Sequence, residues 1–339
     1  MNKIALYVGP PYARDRIFDP DSPLNRDNCL APLRAFRDKV AAAGGECHTF
    51  DMYSGGADAV LFLDVPASPV AEILGGAYSG ALKCLLLQEP ELIIPRNWET
   101  SLHGQFDRIL TWNDSLVDGK KYFKFNYGNS LPASVPRDLS AKSKLCTLIS
   151  GHCRSTHPRE LYSKREEAVL WFERTHPGDF DLYGRGWDEY LFSGPRIVRA
   201  LNRLGWLKRA LGPTFRSYRG PVSSKAEVLR RYRFAICYEN SSGMPGYISE
   251  KIFDCFSAGC VPIYWGAPNV ADYIPKSCFV DKRDYPSYEE LYSRISSMSG
   301  EEYLSIVANI DSFLRSAQGR KFSAECFAET LFDAVTRKL

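Results

Sequence analysis

The stretch "YENSSGMPGYISEKIFDCFSAGCVPIYWGAP", Tyr238 to Pro268, decides the fold class. It begins on the end of an apolar run, Arg233 to Tyr238, that has the length and composition of a buried strand. A loop with Gly243, Pro245 and Gly246 follows, and then a helix predicted from about Ile248 to Ala258, with Gly259 as its stop. "VPIYWG" is a second buried strand. Strand, loop, helix, strand is the unit from which parallel α/β sheets are built, and ligands of such sheets gather beyond the carboxyl ends of the strands. On the helix, Ile248, Ile252, Cys255 and Phe256 share one face, and Tyr247, Glu250, Asp254 and Ser257 share the other.

The same alternation extends in both directions. "KIALYV", "ECHTFD", "DAVLFLDV", "LKCLLLQE" and "FDRILTWN" are strand-like, with helical patterns between them. Residues 129–143, rich in Ser, Pro and Ala without periodicity, form a predicted linker. Beyond it the pattern restarts with "KLCTLIS", a helix over "PRELYSKREEAVLWFERT" and the strand "DFDLYG". Ser224 and Glu227 form a capping-box pattern, and everything after about Ser287 is helical in character. The expected organisation is a first α/β domain over 1–128, the linker, a second α/β domain over 144–320 and a helix over 321–339. Two such domains on 339 residues face each other across a cleft.

Composition narrows the function. A net charge of +3 does not argue for nucleic acid. The apolar runs are too short to span a bilayer, and "MNKIALYVGPPY" reads as a first strand, so a cytoplasmic location is expected. Ten cysteines without a CxxC and five histidines without HxxxH or HExxH favour reduced thiols and no metal site. "DPD" at 19–21 and "DFD" at 179–181 resemble Asp-x-Asp metal motifs, but the first reads as a turn and the second flanks a strand. Residues 196–219 hold seven Arg or Lys and no acid, with Ile197, Leu201, Leu204 and Leu211 near one helical face and Trp206 beside them. They read either as a solvated basic lid or as an amphipathic helix that touches an inner-leaflet membrane surface, with nucleic acid a poor third.

Chemistry concentrates at two strand ends. A helix start after a glycine-bearing loop offers free N–H groups to an anion, and Lys251 in the first turn stands where dipole logic favours an acid. A bound diphosphate gives Lys251 a reason to be there; Glu250 needs none. In the first half, Glu89 directly follows the apolar run "LKCLLL" and precedes Pro90, a costly place for a carboxylate without a task. Glu91 is its rival, read as a solvated loop residue.

The segment "YENSSGMPGYISEKIFDCFSAGCVPIYWGAPNVADYIPKSCFVD" resembles the donor-binding signature of the α1,3-fucosyltransferases, glycosyltransferase family 10. The resemblance extends upstream through "YRGPVSSKAEVLRRYRF" and "SKREEAVLWF" and covers most of residues 144–285. It implies a GT-B fold of two Rossmann-like domains around a central cleft and an inverting transfer of fucose from GDP-fucose to a glycan hydroxyl, with no cofactor required. A bacterial-type member is expected, acting on a surface polysaccharide or its lipid-linked precursor. Carried over by position, Arg165, Asn240, Tyr247, Glu250 and Lys251 line the donor site, with Arg165 and Lys251 on the diphosphate, and Glu89 is the general base. Ser249 stands where the family has Thr, and the loop between Asn240 and Tyr247 is one residue longer. A different GDP-sugar in the same cleft, or an inactive GDP- or glycan-binding module, are the alternatives.

Overall fold

The computed structural model describes residues 3–190, 192 and 195–336. Two parallel sheets organise them. The first contains β1 (Lys3–Tyr7), β2 (Glu46–Thr49), β3 (Ala59–Leu63), β4 (Leu82–Leu87), β5 (Arg108–Thr111) and β6 (Tyr122–Lys124), in the order β2-β1-β3-β4-β5-β6. The second contains β7 (Lys144–Ile149), β8 (Phe180–Tyr183), β9 (Tyr232–Tyr238), β10 (Val261–Trp265) and β11 (Val280–Asp281), in the order β11-β10-β9-β7-β8. Every strand pair is parallel. Helices therefore cover both faces, and the central strands are apolar along their length: Val60, Leu61 and Phe62 of β3, and Leu85 and Leu86 of β4, are fully buried.

Each sheet has one point where the winding reverses. In the second it lies between β7 and β9, so the crevice beyond Ile149 and Tyr238 is where a ligand is expected. The helix over Glu250–Ser257 starts at the same end, and Ile252, Phe253, Cys255 and Phe256 bury its apolar face. It starts at Glu250; Ser249 is the N-cap, and its side chain accepts from the Lys251 N–H. Ser224 likewise caps the short helix Lys225–Leu229 by accepting from Glu227 N–H.

Three elements add to or differ from the expectation. β6 is a half-buried edge strand of three residues, too short to carry a pattern. The basic stretch is not one amphipathic helix. It forms a short helix over Arg196–Ala200, a 3-10 turn over Leu201–Arg203 and a second short helix over Gly205–Ala210, because Leu204 leaves helical backbone at ψ 84°. The helix Ala324–Val335 leaves the second domain and packs on the helix Ala31–Ala42. There Phe327, Leu331 and Val335 join Ile4, Leu61 and Leu86 in the first domain's core. The chain thus crosses between domains twice, and the crossings are paired: Asn129 N–H donates to Phe322 O at 2.8 Å, and Ala324 N–H to Asn129 O at 2.9 Å. The linker is itself docked on the second domain, where Val135 N–H and Arg137 both bond the Asp311 carboxylate. All ten cysteines are free thiols; seven are buried, Cys326 is half-buried, and Cys29 and Cys153 are exposed. Among the described residues no helix is long and apolar enough to cross a membrane.

Candidate active site

The crevice at the end of β7 and β9 collects three cations. Arg165, on the helix Tyr162–Thr175, is 4% exposed. Its Nη2 donates to Tyr238 O at 2.7 Å and to Asn240 Oδ1 at 3.1 Å, and its Nε has no hydrogen-bond partner. These acceptors are neutral. Among the described residues this buried guanidinium has no ion pair, and burial pulls its pKa down. A buried cation without a carboxylate is costly, and an anionic ligand removes the cost. Asn240 therefore orients Arg165; its backbone oxygen also accepts from Leu161 N–H at 3.0 Å.

Lys251 has a different environment from the one its helix position implied. Glu239, at the end of β9 and fully buried, accepts from Ser249 N–H at 2.8 Å, from Ser249 Oγ at 2.7 Å and from Lys251 Nζ at 3.2 Å. The carboxylate behind Lys251 is thus the protein's own. Burial would lower the Lys251 pKa, but Glu250 and Glu239 overcome it and raise it. Lys225, at the first turn of its helix, lies 2.8 Å from Asp254 Oδ2 and 3.9 Å from Glu250 Oε1. Burial acts to raise the Glu250 carboxyl, but Lys251 and Lys225 bring it down to about 2. Glu250 is thus an anion that aligns two lysines at the mouth of the crevice, with 44% of its side chain exposed. Neither Glu239 nor Lys225 was singled out from the sequence. Glu239 carried the signal already applied to Glu89, a carboxylate closing an apolar strand.

Across the cleft, Glu89 follows β4. Asp64, in left-handed backbone at φ 65° after β3, accepts from Gln88 N–H at 2.7 Å and Glu89 N–H at 3.1 Å. The buried Asn97 donates to Asp64 and to Glu89 O, and Trp98 Nε1 donates to Glu89 O at 3.2 Å. The backbone of Glu89 is fixed on every side. Burial, and then the Asp64 charge, push its carboxyl up to about 7, with Lys251 pulling the other way. A carboxylate whose proton affinity sits near neutrality is suited to taking a proton. Glu91 is a solvated side chain with His157 of the second domain at 3.5 Å.

Tyr247 is placed between the domains. It is buried, and its ring lies 4.6 Å from Trp112 and 6.3 Å from Tyr127 of the first domain. Trp112 Nε1 and Tyr127 OH both donate to Gln88 O, so Tyr247 packs on the two rings that hold the residue before Glu89. The longer loop "SSGMPG" serves the same contact. Asp114 N–H donates to Pro245 O, and the Asp114 carboxylate accepts from Lys124, Asn269 and Tyr273 at 2.6, 2.8 and 2.5 Å. Burial opposes ionisation of Asp114, and these donors overcome it and lower its pKa. Gly246, at φ 80°, is required there, since a Cβ would collide with Trp112 O. Asp114 was not legible, because its partners lie far along the chain.

A cavity of about 390 Å³ runs from this crevice between the domains, lined by Tyr12, Arg26 and Asp27 on one side and Ser150, Arg185 and Lys225 on the other. Asp181 is engaged by Arg219 at 2.7 Å and by Tyr232, and Asp179 accepts from Tyr292 at 2.6 Å. Among the described residues no group of three or more His, Cys, Asp or Glu could hold a metal ion.

Residues 196–306 match the model of "Glycosyltransferase family 10 (fucosyltransferase) C-term". An alpha-(1,3)-fucosyltransferase, FucT, of Helicobacter pylori is 46% identical over 139 residues, 35% of this chain and 27% of that protein. An alpha-(1,4)-fucosyltransferase of Arabidopsis thaliana is 32% identical over 74 residues, 22% of this chain and 18% of that protein. The match thus spans about a quarter or less of these relatives. A crystal structure of an alpha1,3-fucosyltransferase with GDP-fucose superimposes with a TM-score of 0.56 at 14% identity, over 98% of this chain and 90% of that one. Anabaena Alr3699/HepE in complex with UDP and glucose gives 0.57 at 11% identity, over 99% and 100%. The two-domain GT-B fold is the one expected, and so is the family resemblance of the signature.

Proposed function

We propose, from the premise that residues 196–306 belong to glycosyltransferase family 10, that this chain transfers fucose from GDP-fucose to a hydroxyl of a glycan acceptor with inversion. The observation that carries the reading is Arg165. It is a buried guanidinium hydrogen-bonded only to neutral acceptors, at the point where the sheet winding reverses, in one pocket with Lys225 and Lys251, and the Lys251 charge is felt by Glu89 across the cleft. Sequence relatives named as fucosyltransferases, FucT of Helicobacter pylori among them, favour fucose as the sugar.

In this reading the diphosphate lies at the end of β7 and β9. Arg165 offers its unpartnered Nε, and the two lysines add charge. The acceptor hydroxyl enters from the first domain and loses its proton to Glu89 as its oxygen bonds to the anomeric carbon. The bond from that carbon to the diphosphate oxygen breaks on the opposite face, and GDP departs with its charge met first by Arg165, which has no ion pair among the described residues, and then by Lys225 and Lys251, which share theirs with Asp254, Glu239 and Glu250. Tyr247 and the Asp114 cluster hold the two halves in register, which fixes the distance between base and leaving group. The acceptor is a bacterial surface polysaccharide or its lipid-linked precursor.

The test is a panel of GDP-fucose, GDP-mannose and UDP-glucose in thermal shift, followed by NMR of the product. Stabilisation by GDP-fucose and a product of inverted anomeric configuration is the expected result. Stabilisation by UDP-glucose alone would overturn the donor reading, and a retained configuration would overturn the role of Glu89.

A further inference from the structure

One surface is left unused by this chemistry. Ten large apolar side chains are exposed among the described residues, and five of them, Ile197, Val198, Leu204, Trp206 and Leu211, fall within residues 197–211; Ile197 is 85% and Trp206 71% exposed. Of the other five, Tyr190 adjoins the same segment through Lys208, and the remaining four are spread over the rest of the molecule, the ordinary situation for a protein surface.

The exposure is held in place. Tyr190 N–H donates to Lys208 O at 2.7 Å, the Asn202 side chain bonds both backbone groups of Phe192 at 3.0 and 2.8 Å, and Lys208 pairs with Glu189. Phe215 and Ser217 then return, buried, to the edge of β8. The segment is a braced platform. Within the same stretch of chain, Arg196, Arg203 and Arg216 are exposed and have no ion pair among the described residues.

A nucleic acid would be met by stacked aromatic rings, whereas aliphatic chains outnumber the single Trp206 here. Aliphatic groups, one indole and free guanidinium groups together match the boundary between lipid headgroups and acyl chains. We infer that residues 196–216 dock on the surface of an anionic lipid bilayer. The platform rises from the end of β8, whose following residues Gly184 and Arg185 line the interdomain cavity, so docking sets the mouth of the cleft beside the lipid.

The experiment is co-sedimentation of the full chain with vesicles of phosphatidylcholine alone and of phosphatidylcholine with phosphatidylglycerol. Binding is expected only to the second kind and weakens as salt rises. Arg203→Gln and Arg216→Gln each reduce the partition coefficient about fivefold. Indole emission shifts to the blue on anionic vesicles, and the shift disappears in Trp206→Phe. The melting temperatures of these variants stay at the parent value, which separates lost docking from lost fold. Equal binding to both vesicles, binding to neither, or an oligonucleotide that binds more tightly and displaces the vesicles would each overturn the inference.

Discussion

Replacing Glu89 by Gln should make the protein more stable while it abolishes turnover. The Glu89 carboxyl is raised from 4.5 to about 7 by burial and by Asp64. Such a group destabilises the fold once it ionises. Below pH 4.5 it is protonated in both the folded and the unfolded chain and has no effect. Between pH 4.5 and about 7 the folded state holds more protons than the unfolded one, so stability falls as pH rises. Above pH 7 the full difference is lost, about 3 kcal/mol at 1.36 kcal/mol per unit. A neutral amide of the same shape is free of that loss. Urea unfolding of the parent and Glu89→Gln at pH 4.5, 6 and 8 measures it: the two coincide at pH 4.5, and the variant leads by about 3 kcal/mol at pH 8. Turnover of the variant drops by about 10²- to 10⁴-fold at every pH, and the parent's kcat/KM climbs through pH 7. A gain that is the same at pH 4.5 and pH 8, or a loss at pH 8, refutes the reasoning, because burial would then not be what raises the proton affinity.

Lys225→Ala should weaken GDP binding about tenfold in calorimetry and leave guanosine binding unchanged, because the lysine acts on phosphate charge. Equal losses for both ligands would place Lys225 elsewhere. Glu239→Gln leaves Lys251 without its buried partner and should cost the second domain about 3 kcal/mol in denaturant unfolding. An unchanged midpoint would mean that Ser249 alone holds the lysine. Gly246→Ala puts a side chain on left-handed backbone against Trp112 O and should cost about 1–2 kcal/mol from the dihedral alone. Small-angle scattering should show the domains parted and turnover reduced; an unaltered profile with full turnover contradicts the tight loop contact.

Much of the layout was legible from Tyr238–Pro268 because strand ends in a parallel sheet are marked by apolar runs that stop abruptly at polar residues. That rule located Glu89 and the loop around Lys251. It applied equally to Glu239, but Lys251 suggested an external anion, and no local pattern shows that a carboxylate twelve residues earlier turns back to meet it. Asp114 reaches Asn269 and Tyr273, and Arg165 reaches Tyr238 and Asn240. Such pairs come from the docking of domains and the packing of helix on sheet, which leave no periodicity to read. The basic stretch shows the opposite failure. Its apolar spacing is helical, yet Leu204 interrupts it, and the side chains end up exposed together on short helical turns.

The helix Ala324–Val335 has a consequence for biogenesis. Residues 324–335 complete the first domain's core, yet they leave the ribosome only after the whole second domain. The first sheet must therefore wait, with Ile4, Leu61 and Leu86 incompletely covered, while the second domain folds. That interval is when the nascent chain is open to aggregation, and a chain truncated before residue 324 would carry a complete second domain attached to an unfinished first one.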